Sequence, residues 1–104
     1  MTIMYAGKKI CKLLDIKEES VTDLSFTTHH TYGKTCHTGL LMKTKDGGCV
    51  IVPDVKNVEK LFIYSEWNLG CIVHDLYQHY TQHQIAGLLK ISQSTVCRIL
   101  EDKR

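Results

Sequence analysis

The chain has 104 residues and a formal net charge of +2, a length that suits one domain or two very small units sharing a core. The charge does not by itself indicate a nucleic-acid partner, since residues 65–104 hold four basic and four acidic side chains. No apolar run approaches the roughly 18 residues of a transmembrane helix, and the first residues lack a basic start followed by an apolar signal core, so we expect a cytoplasmic protein with no membrane partner.

The N-terminal half is predicted to contain one helix followed by strands. In KKICKLLDI, the residues Ile10, Leu13 and Leu14 are spaced to face inward from a short helix. From about Val21 the chain becomes rich in threonine, valine and isoleucine, which favour strands. The segment SVTDLSFTTHHTYG is predicted to form one of these strands.

A hairpin turn is predicted at Asp46-Gly47-Gly48, because these residues tolerate positive φ angles. The segments TGLLMKT and CVIVPDV on either side are predicted to pair as strands. Pro53 should end the second strand or lie on an edge, because it has no N–H to donate to a ladder. EKLFIY is either a fourth strand or the start of a helix. Residues 1–64 are therefore predicted to form a β-rich region.

The pattern becomes helical from Ser65, which is predicted to cap a helix. The inward face of this helix carries apolar side chains at spacings of three and four, namely Leu69, Ile72, Val73, Leu76 and Tyr80. Thr81 and Gln84 have the spacing of a capping box for a second helix, and Ser92 is a suitable cap for a third. The predicted fold class is α+β, with a small antiparallel β-sheet followed by a trihelical C-terminal region, residues 65–104.

The segment QIAGLLKISQSTVCRIL, residues 84–100, predicts two short helices joined by about four residues. Each helix has a buried stripe, made of Ile85, Leu88 and Leu89 in the first and of Val96, Ile99 and Leu100 in the second. The second helix begins with short polar side chains, which can reach base edges in the DNA major groove. This pattern indicates a helix-turn-helix with a recognition helix at about residues 93–102.

The same segment resembles the helix-turn-helix of bacterial and phage transcription regulators, in which IAxxLGIS-x-x-TVxRxL recurs. It is similar to the DNA-binding units of the lactose-repressor family, the LuxR-type regulators and site-specific resolvases, over roughly residues 67–103. The resemblance implies a sequence-specific double-stranded DNA-binding transcriptional regulator of phage, plasmid or bacterial type. One position departs from the pattern: Lys90 replaces the usual turn glycine, and a left-handed lysine costs about 1–2 kcal/mol.

Carried over by position, the resemblance assigns DNA-binding roles to individual residues. Gln93 and Ser94 fall where such proteins first touch bases, and Arg98 falls where a longer side chain reaches a base or a phosphate. Each bidentate pairing of arginine with guanine or of glutamine with adenine contributes about 1–3 kcal/mol of discrimination. Thr95 and Lys90 are expected to contact phosphates. The start of the preceding helix can also hold a phosphate, at Gln82, His83 and Gln84.

A single helix-turn-helix reads only a few base pairs, so we expect a homodimer on half-sites about 34 Å apart. Strands around residues 40–42 and 50–52 are expected to make the dimer contact or to cover the helices. Alternatively, the N-terminal region senses a small molecule or binds a protein partner. The competing function is a protein-interaction adaptor that acts with polymerase or with another DNA-bound factor.

The cysteines and histidines suggest further alternatives. Five cysteines without a CxxC pair predict reduced thiols. HHTYGKTCH concentrates possible Zn²⁺ or copper ligands at His29, His30, Cys36 and His37, but their spacing matches no well-known zinc signature. We therefore expect no cofactor, with a metal-responsive regulator as an alternative and, through Cys97, a redox-responsive one. No nucleophile motif surrounds any cysteine and no phosphate-binding glycine loop occurs, so we do not expect an enzyme.

Overall fold

The computed structural model describes the backbone of residues 5–102 and the side chains of residues 7–28, 32–34 and 38–102. The chain divides into two compact units, which we call the N-terminal unit, Met1–Glu66, and the C-terminal unit, Trp67–Arg104. Among the described residues, none of the helices has both the length and the apolar character needed to cross a bilayer.

From residue 5 onward, the N-terminal unit contains one α-helix, a short 3₁₀ turn and four strands. In chain order these are α1 (Tyr5–Leu14), the turn Glu18–Ser20, β1 (Val21–Thr31), β2 (Lys34–Thr44), β3 (Cys49–Val52) and β4 (Phe62–Tyr64). The strands form one antiparallel sheet in the order β1-β2-β3-β4. EKLFIY therefore contributes a strand, and Pro53 directly follows β3 as predicted.

The C-terminal unit consists of three helices, α2 (Leu69–Leu76), α3 (Gln82–Leu89) and α4 (Gln93–Glu101). The predicted α+β class, an antiparallel sheet followed by C-terminal helices, is confirmed. The start predicted for α2 is wrong, because Asn68 rather than Ser65 is its N-cap and accepts a hydrogen bond from the Cys71 N–H at 3.2 Å. The helix also stops before Tyr80, since the His79 N–H donates to the Leu76 carbonyl at 3.0 Å and tightens the last turn.

The predicted hairpin at Asp46-Gly47-Gly48 is confirmed and joins β2 to β3. Gly47 has a φ of +91°, and the Gly48 N–H donates to the Asp46 carboxylate at 3.0 Å. The hydroxyl of Thr44 also donates to this carboxylate. These two hydrogen bonds, the one from Thr44 first, lower the pKa of Asp46. The turn is therefore closed by side-chain contacts that are local in sequence.

The middle of the sheet is buried on both faces. Leu40, Met42, Val50 and Val52 belong to a core cluster that also contains residues of α1, while the alternate side chains are buried too, with Leu41 4% and Ile51 0% exposed. Residues 40–42 and 50–52 therefore lie in the core of the chain itself. The two roles predicted for these strands, a dimer contact or cover for the helices, both stay predictions.

The buried face of α1 differs in one position from the prediction. Ile10 is fully buried and Leu14 is half-buried, but Leu13 is 53% exposed. The face is made of Gly7, Ile10, Cys11 and Leu14. Because successive helical residues are rotated by about 100°, Leu13 lies well to one side of this face. An apolar residue that is adjacent in sequence to a buried helix face therefore does not always belong to that face.

The tip of the β1–β2 hairpin carries a residue in a strained conformation. Tyr32 and Gly33 both have positive φ angles, 52° and 75°, and they connect the paired residues Thr31 and Lys34. Such two-residue turns favour asparagine followed by glycine. Tyr32 is also 99% exposed, so its side chain contributes no packing that offsets the strain.

Replacing Tyr32 with asparagine is expected to raise the free energy of unfolding by about 1 kcal/mol, because asparagine tolerates the left-handed region. Differential scanning calorimetry measures the gain as an upward shift in melting temperature. Tyr32→Ala is the matched control, since alanine removes the ring and keeps the strain. Equal stability of the asparagine and alanine variants would contradict the explanation.

Candidate nucleic-acid interface

The start of α3 is held by a capping box, as predicted. The hydroxyl of Thr81 accepts a hydrogen bond from the Gln84 N–H at 3.2 Å, and the Gln84 side-chain carbonyl accepts one from the Thr81 N–H at 3.0 Å. The carbonyl of Gln84 is therefore engaged within the protein, which leaves its amide group to face a ligand. Gln82 is half-buried and His83 is exposed at the same end of the helix.

The turn between α3 and α4 is closed by Lys90 in the left-handed conformation, with φ 59° and ψ 41°. The Lys90 N–H bonds to the Ala86 carbonyl, which also accepts from the Ile91 N–H at 3.1 Å. The side chain of Lys90 is exposed. The chain thus keeps the backbone geometry of a turn that normally contains glycine, and it places a cation there.

Lys90→Gly is expected to stabilise the protein by about 1 kcal/mol, because glycine adopts this conformation without steric cost. Lys90→Ala removes the same charge but keeps the strain, so it should not stabilise. Urea unfolding followed by the fluorescence of Trp67, the single tryptophan of the chain, measures the difference. An alanine variant as stable as the glycine variant would rule out strain as the cause.

The start of α4 is organised by Ser92. Its hydroxyl accepts a hydrogen bond from the Thr95 N–H at 3.1 Å, which confirms Ser92 as the cap. The same oxygen lies 2.7 Å from the Thr95 hydroxyl and 3.2 Å from the Ser94 hydroxyl. Behind this polar cluster Val96 is completely buried. The first turn of α4 therefore presents oriented hydroxyls on one side and an apolar anchor on the other.

The exposed side of α4 brings three of the predicted base-contacting residues together. Gln93, Ser94 and Arg98 are all exposed, and their spacing places them on one arc of the helix. Thr95 is half-buried at the side of this arc. We call the surface made by Gln93, Ser94, Cys97, Arg98 and Glu101 the α4 front face.

Two members of the α4 front face, Cys97 and Glu101, are absent from the predicted site. In the sequence, Cys97 lies four residues after Gln93 and Glu101 lies four residues after Cys97, so the three continue one row along the helix. The Cys97 thiol donates a hydrogen bond to the Glu101 carboxylate at 3.5 Å. This hydrogen bond, followed by the negative charge of Glu101, raises the pKa of Cys97. A redox-sensing cysteine needs a depressed pKa, so the redox-responsive alternative gains no support from this geometry.

Glu101→Ala is expected to lower the pKa of Cys97 and so to speed its alkylation by iodoacetamide at neutral pH, because the thiolate is the reactive form. Peptide mass spectrometry after timed labelling measures the rate. Cys71, which is exposed, serves as the internal reference in the same sample. An unchanged ratio of Cys97 to Cys71 labelling would contradict the role of Glu101.

The described part of the C-terminal unit contains few permanent cations. Its charged side chains are two basic ones, Lys90 and Arg98, and three acidic ones, Asp75, Glu101 and Asp102. Uncapped amide N–H groups at the start of a helix can add partial positive charge for a phosphate. The chemistry of this unit is therefore better suited to hydrogen bonding with bases than to strong attraction of a phosphate backbone.

The weak candidates for metal ligands lie on the β1–β2 hairpin, where the backbone pairs His29 with Cys36 and Thr28 with His37. The side chains of His29, His30, Cys36 and His37 are outside the described part of the structure. Among the side chains that are described, no group of three or more histidine, cysteine, aspartate or glutamate residues is placed to hold a metal ion. The expectation of no metal site, with the hairpin as a weak alternative, therefore stays a prediction.

A comparison of the chain with protein-family models, with curated proteins and with solved structures finds no match.

Proposed function

We propose that the chain is a sequence-specific double-stranded DNA-binding protein, a transcriptional regulator of phage, plasmid or bacterial type that acts in the cytoplasm. In this proposal α3 and α4 form a helix-turn-helix and α4 is the recognition helix in the major groove. The observation that carries it is the α4 front face, where exposed polar side chains stand opposite the buried Val96 on a helix capped by Ser92.

The roles of the front-face residues follow from their chemistry. Gln93 can pair with adenine N6 and N7, and Arg98 with guanine O6 and N7. Neither residue has an ion-pair or hydrogen-bond partner for its side chain among the described residues. Glu101 can accept a hydrogen bond from cytosine N4. Lys90 and the first amides of α3 and α4 are suited to phosphates on either side.

The decisive experiment selects binding sites from random duplexes and then compares variants on the selected site and on a scrambled one. Arg98→Ala and Gln93→Ala are each expected to reduce discrimination by about tenfold to a hundredfold, since each base pairing contributes about 1–3 kcal/mol. Gln78→Ala, an exposed glutamine outside the front face, is the matched control. Selection that yields no preferred sequence would refute the proposal.

The homodimer belongs to the same proposal. Two copies of α4 about 34 Å apart can read successive major grooves, and the selected site should then be a palindrome. Size-exclusion chromatography with light scattering, with and without the selected duplex, measures the stoichiometry. If a single copy binds a non-palindromic site, the homodimer is contradicted, while base recognition by α4 still stands.

The adaptor function is the second candidate, and one feature of the sheet favours it. β4 is an edge strand, and its central residue Ile63 is 59% exposed. Edge strands with exposed apolar side chains can pair with another protein. Salt dependence separates the two functions, because DNA binding through several phosphates weakens steeply with salt. If the chain shows no affinity for duplexes at low salt, the adaptor function is favoured.

A further inference from the structure

A concave surface in the N-terminal unit is formed by α1 and the turn segment 54–60. The turn segment is fixed by local hydrogen bonds, including one from the Lys56 N–H to the Asp54 carboxylate at 2.9 Å. It is also anchored by Val58, which is only 5% exposed and belongs to the same core cluster as Ile10 of α1. The two walls of this surface are therefore held in place by shared packing.

The result is an open groove of about 600 Å³. Around Val58 it is lined by Lys9, Lys12, Leu13, Lys56, Asn57 and Glu59, and we call it the lysine groove. Its lining residues include three lysines and one glutamate. Lys9, Lys12 and Lys56 are exposed and have no carboxylate partner among the residues that the structure describes. The lining therefore has a net positive charge, with three lysines against the single carboxylate of Glu59.

The chemistry of the groove fits a chain of phosphates. Lysine binds phosphate as a flexible point charge, without the fixed fork of arginine. An open groove with flexible ammonium groups can follow a repeating anion, whereas a small anion is normally enclosed by converging donors. The described part of the C-terminal unit has only two permanent cations, so a duplex held there alone would gain little from release of counterions.

We propose that the lysine groove binds the phosphate backbone of duplex DNA and supplies sequence-independent affinity. The inference rests on the proposed function, because it divides DNA binding between base recognition by the α4 front face and phosphate binding by Lys9, Lys12 and Lys56. Glu59 opposes the binding through its negative charge.

The test measures affinity for a random-sequence duplex by fluorescence anisotropy between about 50 and 200 mM salt. A triple variant with Lys9, Lys12 and Lys56 replaced by alanine is compared with the wild-type chain. Each phosphate contact contributes about 0.9 to the slope of log affinity against log salt. The variant slope should be shallower by about 2–3, so wild-type affinity should fall about 40-fold more than variant affinity over this range.

A second triple variant, with Lys17, Lys34 and Lys45 replaced by alanine, is the matched control. These three lysines are also exposed in the N-terminal unit, and their removal changes the net charge equally without altering the groove. Glu59→Gln tests the opposite direction and should strengthen binding to the random duplex several-fold. Circular dichroism checks that each variant is folded; glutamine replaces alanine at the three groove lysines if the alanine variant is not.

The experiment distinguishes failure of the lysine-groove inference from failure of the proposed function. The groove variant should weaken binding to selected and scrambled duplexes equally, so that discrimination is retained, while Arg98→Ala should lose discrimination. A groove variant with the wild-type slope, or with the slope of the control triple, overturns the inference and leaves the groove to an acidic protein partner. A wild-type chain that binds no duplex at low salt refutes the proposed function itself.

Discussion

Ile85→Ala is expected to lower the free energy of unfolding by about 3–4 kcal/mol. Ile85 is completely buried in α3, and truncation of a buried isoleucine loses its transfer free energy and leaves a cavity. The C-terminal unit is small, and the other buried apolar side chains among its described residues are Ile72, Val73, Leu76, Leu88, Leu89 and Val96. The apolar packing lost at this one position is therefore a large fraction of the packing that holds α4 in place.

Urea unfolding followed by Trp67 fluorescence measures this loss, since the single tryptophan lies in the same unit. Ile85→Val is the matched control and should cost about 0.5–1.5 kcal/mol, because it removes only one methylene. If α4 reads DNA, Ile85→Ala should also lose discrimination at temperatures where it is partly unfolded and recover it on cooling. A cost below about 1 kcal/mol for the alanine variant would show that the unit repacks around the deletion.

Gly48→Ala is expected to destabilise the sheet by about 2–3 kcal/mol, because it overpacks a site made of backbone. A Cβ atom at this position would lie 2.9 Å from the Tyr64 carbonyl oxygen and 3.4 Å from that of Ser65. Cys49 pairs with Tyr64 in the sheet, so backbone atoms of β4 have to move away from β3. Neither of these contacts can be relieved by rotation of a side chain.

Calorimetric unfolding of Gly48→Ala tests this expectation against Gly47→Asn, a substitution in the same turn. A Cβ atom at Gly47 would have no neighbour within 4 Å, so the position needs only a residue that tolerates positive φ, which asparagine does. The asparagine variant should therefore lose less than about 1 kcal/mol. Equal losses of stability in the two variants would mean that the conformation of the turn, and not the close approach of β4, determines the cost of substitution at Gly48.

Local signals account for the parts of the structure that were predictable. The capping box of Thr81 and Gln84, the cap at Ser92 and the turn at Asp46-Gly47-Gly48 each depend on residues within three or four positions of one another. Their hydrogen bonds join residues that are close in sequence, so a short segment of sequence contains the information needed to place them. The turn at Lys90 is a local feature as well, although its residue type is unfavourable.

Where a feature depends on which segments meet, the prediction failed or was incomplete. Ser65 and Asn68 are both good caps, and only the folded chain selects Asn68. Leu13 and Leu14 are equally apolar, and the packing of α1 in the core leaves Leu13 exposed. The burial of both faces of β2 and β3 at residues 40–42 and 50–52 likewise depends on which segments pack on the sheet, and the sequence left two roles open for these strands, a dimer contact or cover for the helices.

Periodicity and capping act over one or two helical turns, so the order and type of most elements, and the polar start of α4, could be read from the residues alone. That Lys9, Lys12 and Lys56 line one groove follows from tertiary packing alone. Lys12 and Lys56 are far apart in the sequence and are brought together by the burial of Ile10 and Val58 in a common core, so no local pattern encodes their proximity.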